Sequence, residues 1–375
     1  MKTKFYKTFL LFCLFILILS SCEKKEVYKP EEVHNEEKEI QTVDNESKDN
    51  EFEGNEPEKK DTVSKEDIDL SLKPNEAGEV MILMYHNIGD KEAEWTRTPD
   101  NFKKDLITLY EKGYRFVSLK DFVNNTMVVE AGKTPVVLTF DDGNENNFRI
   151  IKDEKGEYII DPNCAVGILE ALKKEYPDFG ITATFFIYGE NPFRQKEFVE
   201  YKLKYLVENG YDIGNHTYSH KSVKNADDEN EIQMEIGKQV MFINSILPNY
   251  EVNTYALCYG ERPKNKDLVK YLEKGTYDGI TYNNIAILNV GWNPAPSPVS
   301  VDFNPLSLPR IRASETNVDN VGIYNWLEYF DKNPDKRYIS DGVKDIITVP
   351  RKFEEKIDFN KLGQKELYVY DTDNE

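Results

Sequence analysis

Short apolar runs that alternate with segments of helical period constrain this chain more than any other feature. Residues 80–85 read Val80-Met81-Ile82-Leu83-Met84-Tyr85, residues 135–140 read PVVLTF, and residues 183–188 read ATFFIY. Each run is short and lacks polar alternation, as expected of a strand buried on both faces. Between the first two, Phe102, Leu106, Leu109 and Tyr110 share one stripe of a helix over 99–112 that Gly113 stops. The same reading places helices at 165–176, 197–209, 229–247 and 266–274, and strands at 116–118, 211–214, 254–257, 279–282 and 286–290. Residues 148–161 form a hairpin turning at 153–156. Strand–helix alternation over some 200 residues implies an α/β fold of parallel strands joined by helical crossovers. Periodicity does not say whether the sheet stays open or closes into a barrel. Beyond Trp292 the chain is rich in Pro and Asn, with a helix expected at 324–330 and a strand at 346–349.

The first 77 residues have a different texture. Lys2, Lys4 and Lys7 precede an unbroken apolar run, Phe9 to Leu19, too short for an ordinary membrane-spanning helix. The run ends in Leu19-Ser20-Ser21-Cys22, which resembles the bacterial lipobox. That resemblance implies a signal peptide at 1–21 and a lipid on Cys22 that holds the protein at a membrane. Residues 23–76 then carry 9 Lys against 19 Asp and Glu, a net of −10 out of −20 for the whole chain. Such a segment buries too little apolar surface to offset chain entropy, so 22–77 is expected to be an acidic disordered tether. The folded part is expected over 78–350, with 351–375 a C-terminal tail or edge segment. The charge speaks against nucleic acid as a partner, and a monomer is expected. Of four Cys, Cys164 and Cys258 remain in the folded part; two unpaired thiols are expected there, although an oxidising compartment would permit a disulfide.

Histidine is the sharpest chemical clue. There are four, and His34 falls in the tether. His86, His216 and His220 all stand at the ends of expected strands, where parallel α/β folds collect functional groups. Asp141 and Asp142 close the strand at 135–140, with Gly143 permitting a tight turn. An isolated Asp-Asp-Gly is most often only a turn, and two His at i, i+4 are as often surface residues as a metal pair. Together they are more specific. One carboxylate and two imidazoles make three ligands with a position left for water, the arithmetic of a catalytic zinc site, which cobalt, nickel or iron would also accept.

TFDDG at 139–143, ATFF at 183–186 and HTYSH at 216–220 resemble, in order and spacing, the polysaccharide deacetylase family (carbohydrate esterase family 4, the NodB-like domain). The resemblance covers roughly residues 80–290. It implies a distorted or incomplete (β/α) barrel and hydrolysis of N-acetyl groups on a sugar polymer such as peptidoglycan, a chitin-like chain or poly-N-acetylglucosamine. It assigns Asp141 as base and Asp142, His216 and His220 as ligands of a divalent metal, most often zinc. The family's late-sequence acid histidine has no counterpart here. Met84-Tyr85-His86-Asn87-Ile88, with Thr96-Arg97-Thr98 and Phe116-Val117-Ser118, instead resembles the poly-N-acetylglucosamine deacetylases, which implies His86 as the acid, a second-shell or substrate contact being the alternative. The motif Arg-x-Pro-Tyr-Gly reads Ala256-Leu257-Cys258-Tyr259-Gly260. Tyr259 keeps the backbone N–H expected to meet the oxyanion, but the Arg that pairs with the base is missing, and Arg262, Arg310 and Arg312 are its candidate replacements. Trp292 is a candidate sugar platform or a core residue; Trp95 and Trp326 are expected only to pack. The missing Arg and late His leave two alternatives open: a catalytically weak glycan-binding protein that keeps the cradle, and an O-deacetylase.

Overall fold

The computed structural model describes residues 64–372. The signal segment, Cys22 and most of the expected tether lie outside them. No helix among the described residues is long and apolar enough to cross a membrane.

Eight strands form one sheet in which every pairing is parallel: β1 (Met81–Tyr85), β2 (Tyr114–Phe116), β3 (Thr134–Phe140), β4 (Thr184–Ile187), β5 (Asp212–Asn215), β6 (Thr254–Ala256), β7 (Ala286–Leu288) and β8 (Ile311–Arg312). The order is β7-β6-β5-β4-β3-β1-β8, with β2 beside the first half of β3. The main helices are α1 (Pro99–Glu111), α2 (Ala165–Glu175), α3 (Val199–Glu208), α4 (Glu229–Ile246) and α5 (Ile323–Lys332). Thr98 caps α1 and Asp228 caps α4, each side-chain oxygen accepting a backbone N–H of the first turn.

The apolar runs are buried on both faces because alternate residues serve two cores. Met81, Leu83 and Tyr85 pack outward with Leu106, Leu138 and Phe140 under the helices. Val80, Ile82, Val137, Phe186, Ala256 and Leu288 pack with one another on the concave side. That inner space is tight: a Cβ on Gly214 would stand 2.3 Å from the Phe186 ring.

The sheet curls into a barrel, and residues 308–312 span its seam. Leu308 bridges Leu288 of β7, while Ile311 and Arg312 pair with Leu83 and Met84 of β1. Arg310 lies between these two contacts and is fully buried.

Several expectations need correction. Residues 279–282 do not extend the sheet. Ile280–Asn283 pairs antiparallel with Lys274–Tyr277 across Asp278 and Gly279, both with positive φ. This is the Asp-Gly hairpin turn, and it cuts the expected helix 266–274 to Lys266–Leu268 and Lys270–Glu273. The strand Ile346–Pro350 also stays off the barrel, pairing with Glu366–Tyr370, so the described part of 351–375 is a folded edge and no free tail. The tether does not reach 77: two short 3-10 turns precede Asn75, Glu76 and Ala77, all buried, with Ala77 packed against Val299, Ile347 and Val349. Chain order hides this, because the partners lie more than 220 residues downstream.

Candidate active site

Parallel strands put all their carboxyl ends on one rim, and the chemistry-bearing residues follow directly from them. The ladder runs on past the strands: Asp141 N–H donates to Tyr85 O at 2.9 Å, and His216 N–H to Ile187 O at 3.1 Å. His86, Asp141 and His216 are therefore fixed to one rim by backbone alone.

Asp142 Oδ1 lies 3.5 Å from His216 Nε2 and 3.1 Å from His220 Nε2. It is buried, yet its approach to the rings lacks hydrogen-bond geometry. His216 Nδ1 is within 2.8 Å of Ala256 O. A carbonyl only accepts, so a proton sits on Nδ1, and Nε2 is the ring nitrogen that faces Asp142. One carboxylate oxygen and two imidazole nitrogens thus converge, a donor set that suits a divalent cation. The residues present fit a metal.

Cys258 Sγ also lies within 4.8 Å of the histidine ligand atoms. It is committed elsewhere, at 3.3 Å from His216 O and 3.4 Å from Thr217 Oγ1. Asp142, facing both Nε2 atoms, is the better third ligand. Cys164 and Cys258 are both free and buried.

Backbone strain gathers at this cradle. Asp142, Thr217, His220 and Tyr259 all have left-handed φ, between 54° and 74°. Such residues persist only where neighbours over-determine them. Asn215 Oδ1 accepts Thr217 N–H at 2.9 Å, Glu235 Oε2 accepts Ser219 N–H at 2.9 Å, and Thr217 Oγ1 accepts Lys221 N–H at 3.1 Å. These bonds bend HTYSH so that both rings face inward.

Asp141 stands beside the cradle, paired with an arginine. Both its oxygens accept from Arg310, Nη1 to Oδ1 and Nη2 to Oδ2, each at 2.7 Å. Burial would raise the Asp141 pKa, but the Arg310 charge and hydrogen bonds outweigh it and hold the carboxyl below its ordinary range. Of the three candidate arginines, only Arg310 reaches Asp141. Arg262 donates to Asn289 Oδ1 and Leu306 O; Arg312 is engaged by Glu94 and Asn317 O.

His86 Nε2 lies 3.9 Å from Asp141 Oδ2, and its ring is 15% exposed. Asn147 Nδ2 donates to His86 O at 2.6 Å. The Trp95 ring covers His86, centroids 4.7 Å apart. Burial lowers the His86 pKa, against the pull of Asp141 and Asp142. The strip carrying Trp95 is anchored by Arg97, buried and forked onto Asp105 at 2.6 and 2.8 Å, with Glu315 at 2.7 Å. Trp95 thus packs, as expected, and the ring it packs on is that of His86.

Tyr259 is 65% exposed. Its hydroxyl lies 3.3 Å from His220 Nδ1. Trp292 is 59% exposed, so it is no core residue. Its carbonyl accepts from Trp326 Nε1 at 2.8 Å. No hydrogen bond or ring contact joins the Trp292 side chain to the cradle among the described residues. A cavity of about 610 Å³ lined by Leu70, Lys73, Ile339, Phe353 and Tyr370 shares no residue with this rim.

The family model for polysaccharide deacetylase matches residues 129–280. Solved structures of similar shape include the Streptococcus pyogenes deacetylase PplD in complex with acetate, 19% identical, covering 67% of this chain and 97% of that one, with a TM-score of 0.48. A polysaccharide deacetylase from Bacillus cereus is 19% identical over 67% of this chain and 68% of that one, TM-score 0.48. IcaB from Ammonifex degensii is 17% identical over 64% of this chain and 93% of that one, TM-score 0.47. No curated protein sequence matches the chain. Residues 129–280, which hold Asp141, Asp142, His216, His220 and Tyr259, are a polysaccharide deacetylase domain.

Proposed function

We propose that the chain is a metal-dependent N-deacetylase acting outside the cytoplasm on an N-acetylglucosamine-containing polysaccharide, held at a membrane through Cys22. The family reaction, hydrolytic removal of acetyl from a polysaccharide, is the starting point. The observation that carries the finer reading is the pairing of a three-base cradle with a separate carboxylate on one rim.

Asp142 Oδ1 and the Nε2 atoms of His216 and His220 would hold the ion, zinc first, with cobalt, nickel or iron also compatible with N/O ligands. Such an ion supplies Lewis acidity toward the acetamide carbonyl and water. The protein's own residues do the rest. Asp141, kept ionised by Arg310, accepts the water proton at a carboxylate oxygen. The Tyr259 backbone N–H donates to the oxygen that gains charge. His86, beside Asp141, gives a proton to the departing nitrogen, and the amine leaves while acetate forms. Trp292 offers an exposed face to a sugar ring.

The test is an acetate-release panel on the full chain with defined metals. Peptidoglycan, chitin oligomers, poly-N-acetylglucosamine and an O-acetylated glycan are the substrates. Acetate from at least one N-acetylated polymer is expected, with activity abolished in Asp142→Ala. Release only from the O-acetylated glycan would replace the N-deacetylase reading. Glycan binding without release, unchanged in Asp141→Asn, would replace the enzyme with a binding protein.

A further inference from the structure

Residues 191–195 lie against the cradle in a strained shape. Phe193 and Arg194 have φ of 59° and 54°, a left-handed conformation that non-glycine residues rarely adopt. Several bonds hold them there. Phe193 N–H donates to Gly143 O at 2.7 Å. Lys202 Nζ, on a buried side chain, donates to Phe193 O at 3.1 Å and to Gln195 Oε1 at 2.8 Å. Gln195 exchanges two 2.8 Å hydrogen bonds with the Ile150 backbone.

What this strain positions is the Arg194 guanidinium. Its Nη2 donates to the Asp142 carbonyl at 3.1 Å and to the Tyr188 hydroxyl at 2.6 Å. Its central carbon lies 4.5 Å from the Tyr188 ring centroid. The Tyr188 ring in turn lies 4.9 Å from His220. Arg194 therefore reaches two ligands: the backbone of Asp142 directly, and the imidazole of His220 through Tyr188.

We propose that Arg194, acting with Tyr188, is a positioning residue of the metal cradle. It pins the left-handed Asp142 and the His220 ring so that their ligand atoms meet. This rests on the reading of Asp142, His216 and His220 as metal ligands. The sign of the effect is diagnostic. A guanidinium acting only through its charge would repel a cation, so its removal would tighten metal binding. A clamp predicts weaker binding, since outer partners of metal ligands are worth about 10–100-fold in affinity.

The experiment titrates the metal-stripped full chain with cobalt(II), reading the visible absorption of the bound ion, with melting of the metal-free protein measured in parallel. Arg194→Met is expected to bind cobalt about 10–100-fold more weakly, and Arg194→Lys to fall between it and wild type. Unchanged or tighter binding in Arg194→Met, beside a wild type that binds cobalt, overturns the clamp alone. Should metal-free Arg194→Met melt below wild type, Tyr188→Phe decides. It keeps the ring and loses the acceptor, so weaker binding is expected and wild-type affinity overturns the clamp. A wild type that takes no more cobalt than His216→Ala overturns the metal reading and the clamp together.

Discussion

At the scale of single residues, Asp141 and its arginine set the first expectations. Arg310 holds the Asp141 pKa down by a two-pronged bond. Arg310→Lys keeps the charge but not the fork. The Asp141 pKa then climbs toward its ordinary range, so the acidic limb of the kcat/KM profile is expected to move to higher pH. A pH–rate series on wild type and variant checks this, and a limb that stays put or moves down contradicts it. His86→Asn is expected to lower kcat about 10²-fold or more while leaving KM nearly unchanged, as for loss of a general acid. Steady-state kinetics on the best substrate of the acetate panel decide it. An equal loss in 1/KM would make His86 a substrate contact.

At the scale of elements, Gly214 is the most exposed to a simple test. It sits in β5, two residues before His216, with the Phe186 ring against it. Gly214→Ala is expected to cost about 1–3 kcal/mol by overpacking, seen as a lower urea midpoint with an unchanged slope. The strands β1, β3 and β4 were legible because unbroken apolar runs have few other uses. The motifs that follow β3 and β5 located Asp141, Asp142, His216 and His220 on one rim. Two things were not legible. The Asp278-Gly279 turn was a readable hairpin signal that lost to an apparent strand alternation. The choice of Arg310 was not written locally at all: three arginines had equal claims in sequence, and only the seam contacts of Leu308 and Ile311 bring one of them inside.

For the molecule as a whole, the chain before β1 is sealed by the chain after residue 337. Glu76 is buried there, accepting from Thr348 N–H and Tyr338 Oη at 2.9 Å each. Burial and the nearby Asp341 push its pKa up to about 8. An acid whose folded pKa is raised gives stability that is intact below its unfolded pKa and lost as pH rises through the folded one. The wild type is therefore expected to weaken on approach to pH 8 by up to about 1.4 kcal/mol per pH unit. Glu76→Gln, which mimics the protonated acid, is expected to flatten that slope, and melting temperatures across pH 5–9 check it. A parallel fall in both proteins would place the alkaline sensitivity elsewhere.

The seam has a consequence in time. β1 and β8 pair across more than 220 residues, and Arg310 arrives with the second of them. A chain emerging from the ribosome holds His86, Asp141, Asp142, His216 and His220 long before the barrel can shut. Such long-range pairing is slow to form. The arginine partner of Asp141 is therefore a late arrival, and a product truncated before residue 310 would carry TFDDG, ATFF and HTYSH and still lack the guanidinium that keeps Asp141 ionised.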